Sequence, residues 1–401
     1  MILLTATDTA ETNIQLLADV SMGLVVINEG VTVDRKSLID KYSRTKSALC
    51  AGADIVLQIP PSYSLASAES FAEGAVSLLM STGVVQHLSF GSEAGNLNEL
   101  NKVAGILAEE PPQFKKSLQK HLKSGISYPA ARSRALIDCC PEMTGITELT
   151  SSPNNILAIE YLKSLLKSHS TIQPVTIKRF GAGYNDPYTP GQSGLSAKAI
   201  REAVSYGSYI DSLSEYMPEE SFNSLKEAIE KKQTLTEDDF SEMIIYKLIA
   251  ERQQGYTKYL DVSDDLSDRI VNNLDKFTGF SDFCNLIKTK DKTYTRVSRA
   301  LFHILLDIRD NDESSFDYTG PCPYIRILGF RKSAESLVSS MKSYASVPII
   351  TGYTDAEKSL YSEQFKQLKD ESRIEDLFFA MKTLKSGIPS KPDMSRPLIV
   401  I

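Results

Sequence analysis

The chain has 401 residues, room for two or three compact units, and its 42% apolar and 24% charged residues predict a packed core and exclude global disorder. A formal charge of −7 excludes a generally basic nucleic-acid binder, so any attraction for phosphate must come from a local patch. Five cysteines without a CxxC pair and four scattered histidines suggest neither a disulfide framework nor a metal site; with no positively charged leader and no apolar run of bilayer length, a cytoplasmic protein without membrane contact is expected.

In chain order, apolar runs at 2–7, 23–27, 53–58 and 85–91 read as strands, with helical three- and four-residue spacing at 35–50 and 67–80 between them. Strands separated by helices predict an α/β fold with a parallel sheet. His87 falls inside the fourth run and reads as a structural histidine. From 96 to about 137 the pattern is helical, broken at Pro111 and Pro112. Ser152 before Pro153 reads as the cap of a helix reaching Lys167. A strand at 174–179, a glycine-rich loop at 181–194 and a helix opening at Ser196 follow. From about Asp211 to Arg309 nearly everything reads as helix, and the tail returns to strands at 324–328 and 347–350, each followed by a helix. The expected organisation is a Rossmann-like nucleotide-binding domain over 1–210 and a mainly helical domain over 211–401 with a small α/β tail.

Three segments suit a nucleotide. In Leu195-Ser196-Ala197-Lys198-Ala199-Ile200-Arg201, Ser196 stands at a helix start and Arg201 one turn later, where free N–H groups attract phosphate. Gly91, in Phe90-Gly91-Ser92-Glu93-Ala94-Gly95, ends a strand, where open α/β sheets bind ligands and a glycine permits close backbone approach. Asn154, in Ser151-Ser152-Pro153-Asn154-Asn155, offers an amide for an adenine edge or ribose, and Arg179 can grip phosphate with two parallel bonds. Taken singly, each segment equally describes a capped helix, a tight turn or a surface arginine.

Read in order, the segments YSRTKSALCAGADIVLQIP, ESFAEGAVSLL, LSFGSEAG, GISYPAAR, SSPNNILAIEYLKSL, TIKRFGAGYND, LSAKAIREAV, TYTRVSRALFHILLDI and YIRILGF resemble signature stretches of the tRNA(Met) cytidine acetate ligases of the nucleotidyltransferase superfamily. LSAKAIR is similar to the ISSTxxR motif of adenylyl-transferring relatives. The resemblance implies a Rossmann-like nucleotidyltransferase domain and a helical tRNA-facing domain. It implies ATP, with Mg²⁺, as a substrate met by Gly91, Asn154, Arg179, Ser196 and Arg201. It further implies acetate activated as acetyl-adenylate and passed to the wobble cytidine of elongator tRNA(Met). A segment around Arg35 matches loosely.

One departure stands out. The family carries HxGH after its first strand, and here Thr5-Ala6-Thr7-Asp8-Thr9-Ala10-Glu11-Thr12-Asn13 stands there, with no histidine before His87. A preorganised donor is worth about 10²–10³ in rate. The departure therefore admits an alternative, a pseudoenzyme retaining nucleotide or tRNA binding, and it leaves the catalytic residues unassigned. Thr7, Asp8, Thr9 and Asn13 are the remaining groups there for phosphate or Mg²⁺.

For tRNA the reading points to Lys288, Lys290, Lys292, Arg296 and Arg299, crowded around one acid, Asp291, with Tyr294 among them to stack on an unpaired base.

Overall fold

The computed structural model describes residues 2–4, 24–27, 38–179, 195, 197–207, 209–310 and 321–401. Strands β1 (Ile2–Leu4), β2 (Leu24–Ile27), β3 (Ile55–Gln58), β4 (His87–Ser92) and β5 (Gln173–Lys178) lie in the order β5-β4-β1-β2-β3, all parallel. All four residues of β3 are buried, as expected of a strand covered on both faces. The chain first moves outward from β1 to β3 and then returns to the other side of β1 with β4. The strand order therefore reverses between β1 and β4, and such sheets take ligands beyond the carboxyl ends of the strands at that point.

The C-terminal tail does not stay with the helical part. Its β6 (Ile325–Phe330) runs antiparallel to β3, and β7 (Ile349–Ile350) and β8 (Ile399–Val400) pair with β6, so the tail extends the N-terminal sheet. Gly329 permits this, since a Cβ there would lie 2.8 Å from the Ile399 carbonyl oxygen and 2.9 Å from Leu49 Cδ1.

Alternation along β3 divides the core. Ile55 and Leu57 join Leu78, Leu79, Phe90 and Tyr161 on one face. Val56 joins Leu49 of the helix Lys41–Cys50, Leu301 and Phe302 of the helix Tyr294–Leu306, and Phe378 of the helix Ser362–Ser386 on the other. The helical region is thus the cover of one sheet face. Fully buried His303 fastens it there, with Nε2 2.8 Å from the Leu65 carbonyl oxygen and Nδ1 2.9 Å from that of Leu260. His87, expected as structural, is instead exposed at the first position of β4, because the strand starts two residues later than its apolar run.

Candidate active site

The carboxyl end of β4 is knitted to its neighbours by short polar contacts. Ser92 Oγ lies 2.7 Å from Thr176 Oγ1 of β5 and accepts from Gly95 N at 3.0 Å, while the Ser92 carbonyl accepts from Arg179 N at 2.9 Å. Gly95 turns the chain at φ +64°, and a Cβ there would lie 2.6 Å from Lys178 Cβ, so close approach and backbone sign both call for glycine.

The next turn caps the helix Pro153–Lys167. Glu93 Oε1 accepts from Asn154 N at 3.2 Å and from Asn154 Nδ2 at 2.7 Å, and Glu93 Oε2 accepts from Asn155 N at 2.7 Å. Buried Asn155 returns the contact, its Oδ1 accepting from Ala94 N at 2.9 Å. A carboxylate is well suited to this place, since it satisfies orphan donors and meets the positive end of the helix dipole. The cap expected from Ser152 is not made: its hydroxyl donates to the Glu148 carbonyl at 2.9 Å. The sequence carries one signal for Glu93, an acid in the turn after a strand.

Gly91, Asn154 and Arg179 are therefore brought together at the carboxyl ends of β4 and β5. Gly91 is half-buried opposite Ile177, and half-buried Arg179 follows β5 directly. Asn154 already spends its amide N–H on Glu93. Arg201 is half-buried on the helix Ala197–Tyr206, whose Ile200 and Ala203 pack on Leu38, Leu213 and Leu225. Leu38 lies between β2 and the helix Lys41–Cys50, so this helix also sits at the carboxyl edge of the sheet. Ser196, Arg35, Thr7, Asp8, Thr9 and Asn13 lie outside the described residues.

Farther along the same edge, charge is buried. Lys41 Nζ donates to Gln58 Oε1 at 2.9 Å and lies 2.7 Å from Asp393 Oδ1, and Arg326 places NH1 2.7 Å from Asp393 Oδ2. Tyr42 OH donates to Asp393 Oδ1 at 2.8 Å. Burial alone would raise the Asp393 carboxyl, but Arg326 and Lys41 hold it well below the usual carboxylate range. The helix Lys41–Cys50 is capped by Asp40, which Lys382 Nζ meets at 2.6 Å. Among the described residues no three His, Cys, Asp or Glu are arranged to hold a metal ion.

The cationic segment 288–299 is divided by its folding. Lys288, Lys290 and Arg296 are exposed. Lys292 pairs with Asp265, and Arg299 grips Asp261 with two bonds, one at 3.0 Å from NH2 to Oδ1. Tyr294 is half-buried against the helical core, its hydroxyl 3.3 Å from Ser281 Oγ. Asp265 and Asp261 are 27 and 38 residues away in sequence, so a local charge count could not foresee them.

Known proteins match this chain in fold over its full described length and in sequence over most of it. The sequence profile of the HIGH Nucleotidyl Transferase family matches residues 22–388. The tRNA(Met) cytidine acetate ligase of Clostridium novyi (strain NT) is 37% identical over 329 residues, 82% of each chain. The crystal structure of apo Thermotoga maritima TmcAL superposes with a TM-score of 0.90 at 25% identity, covering 100% of this chain and 98% of that one. The same protein bound with alpha-thio ATP gives a TM-score of 0.87.

Proposed function

The chain belongs to the tRNA(Met) cytidine acetate ligase family of HIGH nucleotidyl transferases, and from that premise we propose that it is an ATP-dependent ligase that forms N4-acetylcytidine in tRNA. The observation that carries this is the agreement in sequence over most of the chain and in fold over all of it, with a relative solved bound to an ATP analogue. In the first step an acetate oxygen attacks the α-phosphorus of ATP, giving acetyl-adenylate and releasing pyrophosphate. In the second, the exocyclic amine of the wobble cytidine of elongator tRNA(Met) takes the acetyl group, and AMP leaves with the bonding pair.

This chain's own groups supply binding and orientation. Gly91 lets the nucleotide approach the backbone, Arg179 and Arg201 meet the phosphates together with Ser196, and Asn154, oriented by Glu93, faces the nucleoside. These cations and amides are not a divalent-ion ligand set, so Mg²⁺ is given no protein ligand. Replacing Arg201 or Arg179 by Ala should weaken ATP by about 1.5–3 kcal/mol, the usual scale for charge-assisted hydrogen bonds. The check is the rise in melting temperature that ATP produces, and no rise for the unaltered protein at millimolar ATP would overturn the nucleotide site.

One observation favours a second reading, a non-catalytic protein that keeps the scaffold. No histidine precedes His87, so the family's HxGH has no counterpart in this sequence.

A further inference from the structure

A second cationic surface lies on the nucleotide-binding half, unlike the segment 288–299. Residues 111–137 contain Lys115, Lys116, Lys120, Lys123, Arg132 and Arg134 and no acid at all, in a chain of net charge −7. They form the helices Pro112–Lys123 and Tyr128–Cys139, packed against each other. Asp138, the next acid along the chain, is taken up inside the pair: His121 Nε2 lies 2.9 Å from its Oδ2, and Ser117 Oγ donates to the same oxygen. Arg132 is anchored to Glu160 at 3.1 Å, and exposed Lys115 stands 3.6 Å from Glu110.

Lys116, Lys120 and Lys123 remain. At 100° per residue they share one face, opposite the face that buries Phe114 and Ser117. All three are exposed and none forms a salt bridge among the described residues, and the same is true of Arg134 on the second helix. Asp138 is within electrostatic range of Lys120, but its carboxylate is already bonded to Ser117 and His121. The stripe spans about 10 Å along the helix. Tyr128, 55% exposed, stands at the start of the second helix. That helix is tied to the site, since Thr150 Oγ1 donates to Ser133 Oγ at 2.9 Å just before the Pro153 helix start that Glu93 caps.

We propose that the stripe Lys116, Lys120 and Lys123, with Arg134, is a phosphate-backbone contact surface for a folded RNA, additional to the exposed cations of the segment 288–299. The charges are unneutralised and linear, which suits a phosphodiester chain. A membrane surface suits it less, because the apolar face of the first helix is spent on the core through Phe114, leaving only side chains such as Leu122 at the surface to insert. That the RNA is tRNA rests on the ligase reading.

The test is fluorescence anisotropy of bulk bacterial tRNA with the full chain, between about 0.05 and 0.3 M KCl. Wild type is compared with the triple variant Lys116→Gln, Lys120→Gln, Lys123→Gln. The slope of log affinity against log salt should flatten by roughly 2–3, at about 0.7–0.9 per lost phosphate contact, with affinity near physiological salt falling about tenfold or more. The ATP-induced rise in melting temperature should be unchanged, and the corresponding Lys→Arg variant should keep the wild-type slope. If the Gln variant binds tRNA with wild-type affinity and slope, the stripe is no RNA surface and the ligase reading stands without it. If wild type binds no tRNA, the ligase reading falls and this proposal with it. Loss of binding to phosphatidylserine vesicles with tRNA binding intact would assign the stripe to a membrane and overturn the proposal.

Discussion

Two sets of cationic side chains in this molecule meet opposite fates. Lys41 and Arg326 are buried at the carboxyl edge of the sheet and both meet the carboxylate of Asp393. Lys116, Lys120 and Lys123 are exposed and form no salt bridge among the described residues. The first set costs desolvation and is tolerable only because its partner is fully buried between the two cations. The second costs nothing to keep in water and leaves its charge available to a phosphate. Segment 288–299 combines both fates within a dozen residues, with Arg299 consumed by Asp261 while Lys290 and Arg296 face outward. What separates an architectural cation from a binding one is the carboxylate that folding brings to it from a distance.

The sharpest way to break this contrast is Asp393→Ala. It removes the carboxylate that both buried cations meet, and urea unfolding should show a loss of about 3–5 kcal/mol. A loss below about 1 kcal/mol would mean that the cluster is open to water and that the contrast is false.

Glu371 gives a pH test of the same buried region. It is fully buried, accepts from Tyr324 OH and from Gln367 Nε2 at 3.0 Å, and burial pushes its carboxyl up to about 7. Between the ordinary value of 4.5 and 7 the folded state holds a proton that the unfolded state releases. This group therefore makes stability fall as pH rises through that window, by on the order of 3 kcal/mol in all. Glu371→Gln should remove that contribution, leaving the variant more stable than wild type at pH 7.5 and little changed at pH 4. An identical pH profile for the two proteins would show that the carboxyl is not held protonated.

Segment 288–299 should respond in two different ways. Asp261→Ala strands Arg299 and should cost about 1.5–3 kcal/mol of stability, since both partners are largely buried and joined by a charged hydrogen-bond pair. Lys290→Glu with Arg296→Glu should shift stability by less than about 0.5 kcal/mol. It should nevertheless weaken tRNA binding and flatten its salt slope by roughly 1.4–1.8. If the double variant unfolds as readily as Asp261→Ala, or binds tRNA as wild type does, these side chains have been misassigned.

The α/β alternation was legible because each strand is a short apolar run between helices of clear period. The runs at 23–27 and 53–58 end where β2 and β3 do, at Ile27 and Gln58. Covalent order misled where pairing is non-local. Nothing local in Ile325–Phe330 says that it runs antiparallel beside Ile55–Gln58, and the two residues of β8 are too few to form a pattern. Gly91 and Arg179 were legible as residues within one position of the strand ends at Ser92 and Lys178. Glu93 was not, because its role depends on a helix start about sixty residues later in sequence. The stripe at Lys116, Lys120 and Lys123 was readable as i, i+4, i+7 spacing, but Asp138, Glu110 and Glu160 had to be placed before it could be separated from its paired neighbours.

The ligase reading stands or falls on one transfer. The purified protein is incubated with ATP, labelled acetate and bulk bacterial tRNA, and the label is followed into cytidine of the recovered RNA. The expected result is label at N4 of cytidine that needs both ATP and protein and that falls with Arg201→Ala. Folded protein that binds tRNA and ATP yet transfers no label would contradict catalysis and leave a scaffold whose chemistry was lost with the histidines that do not precede His87.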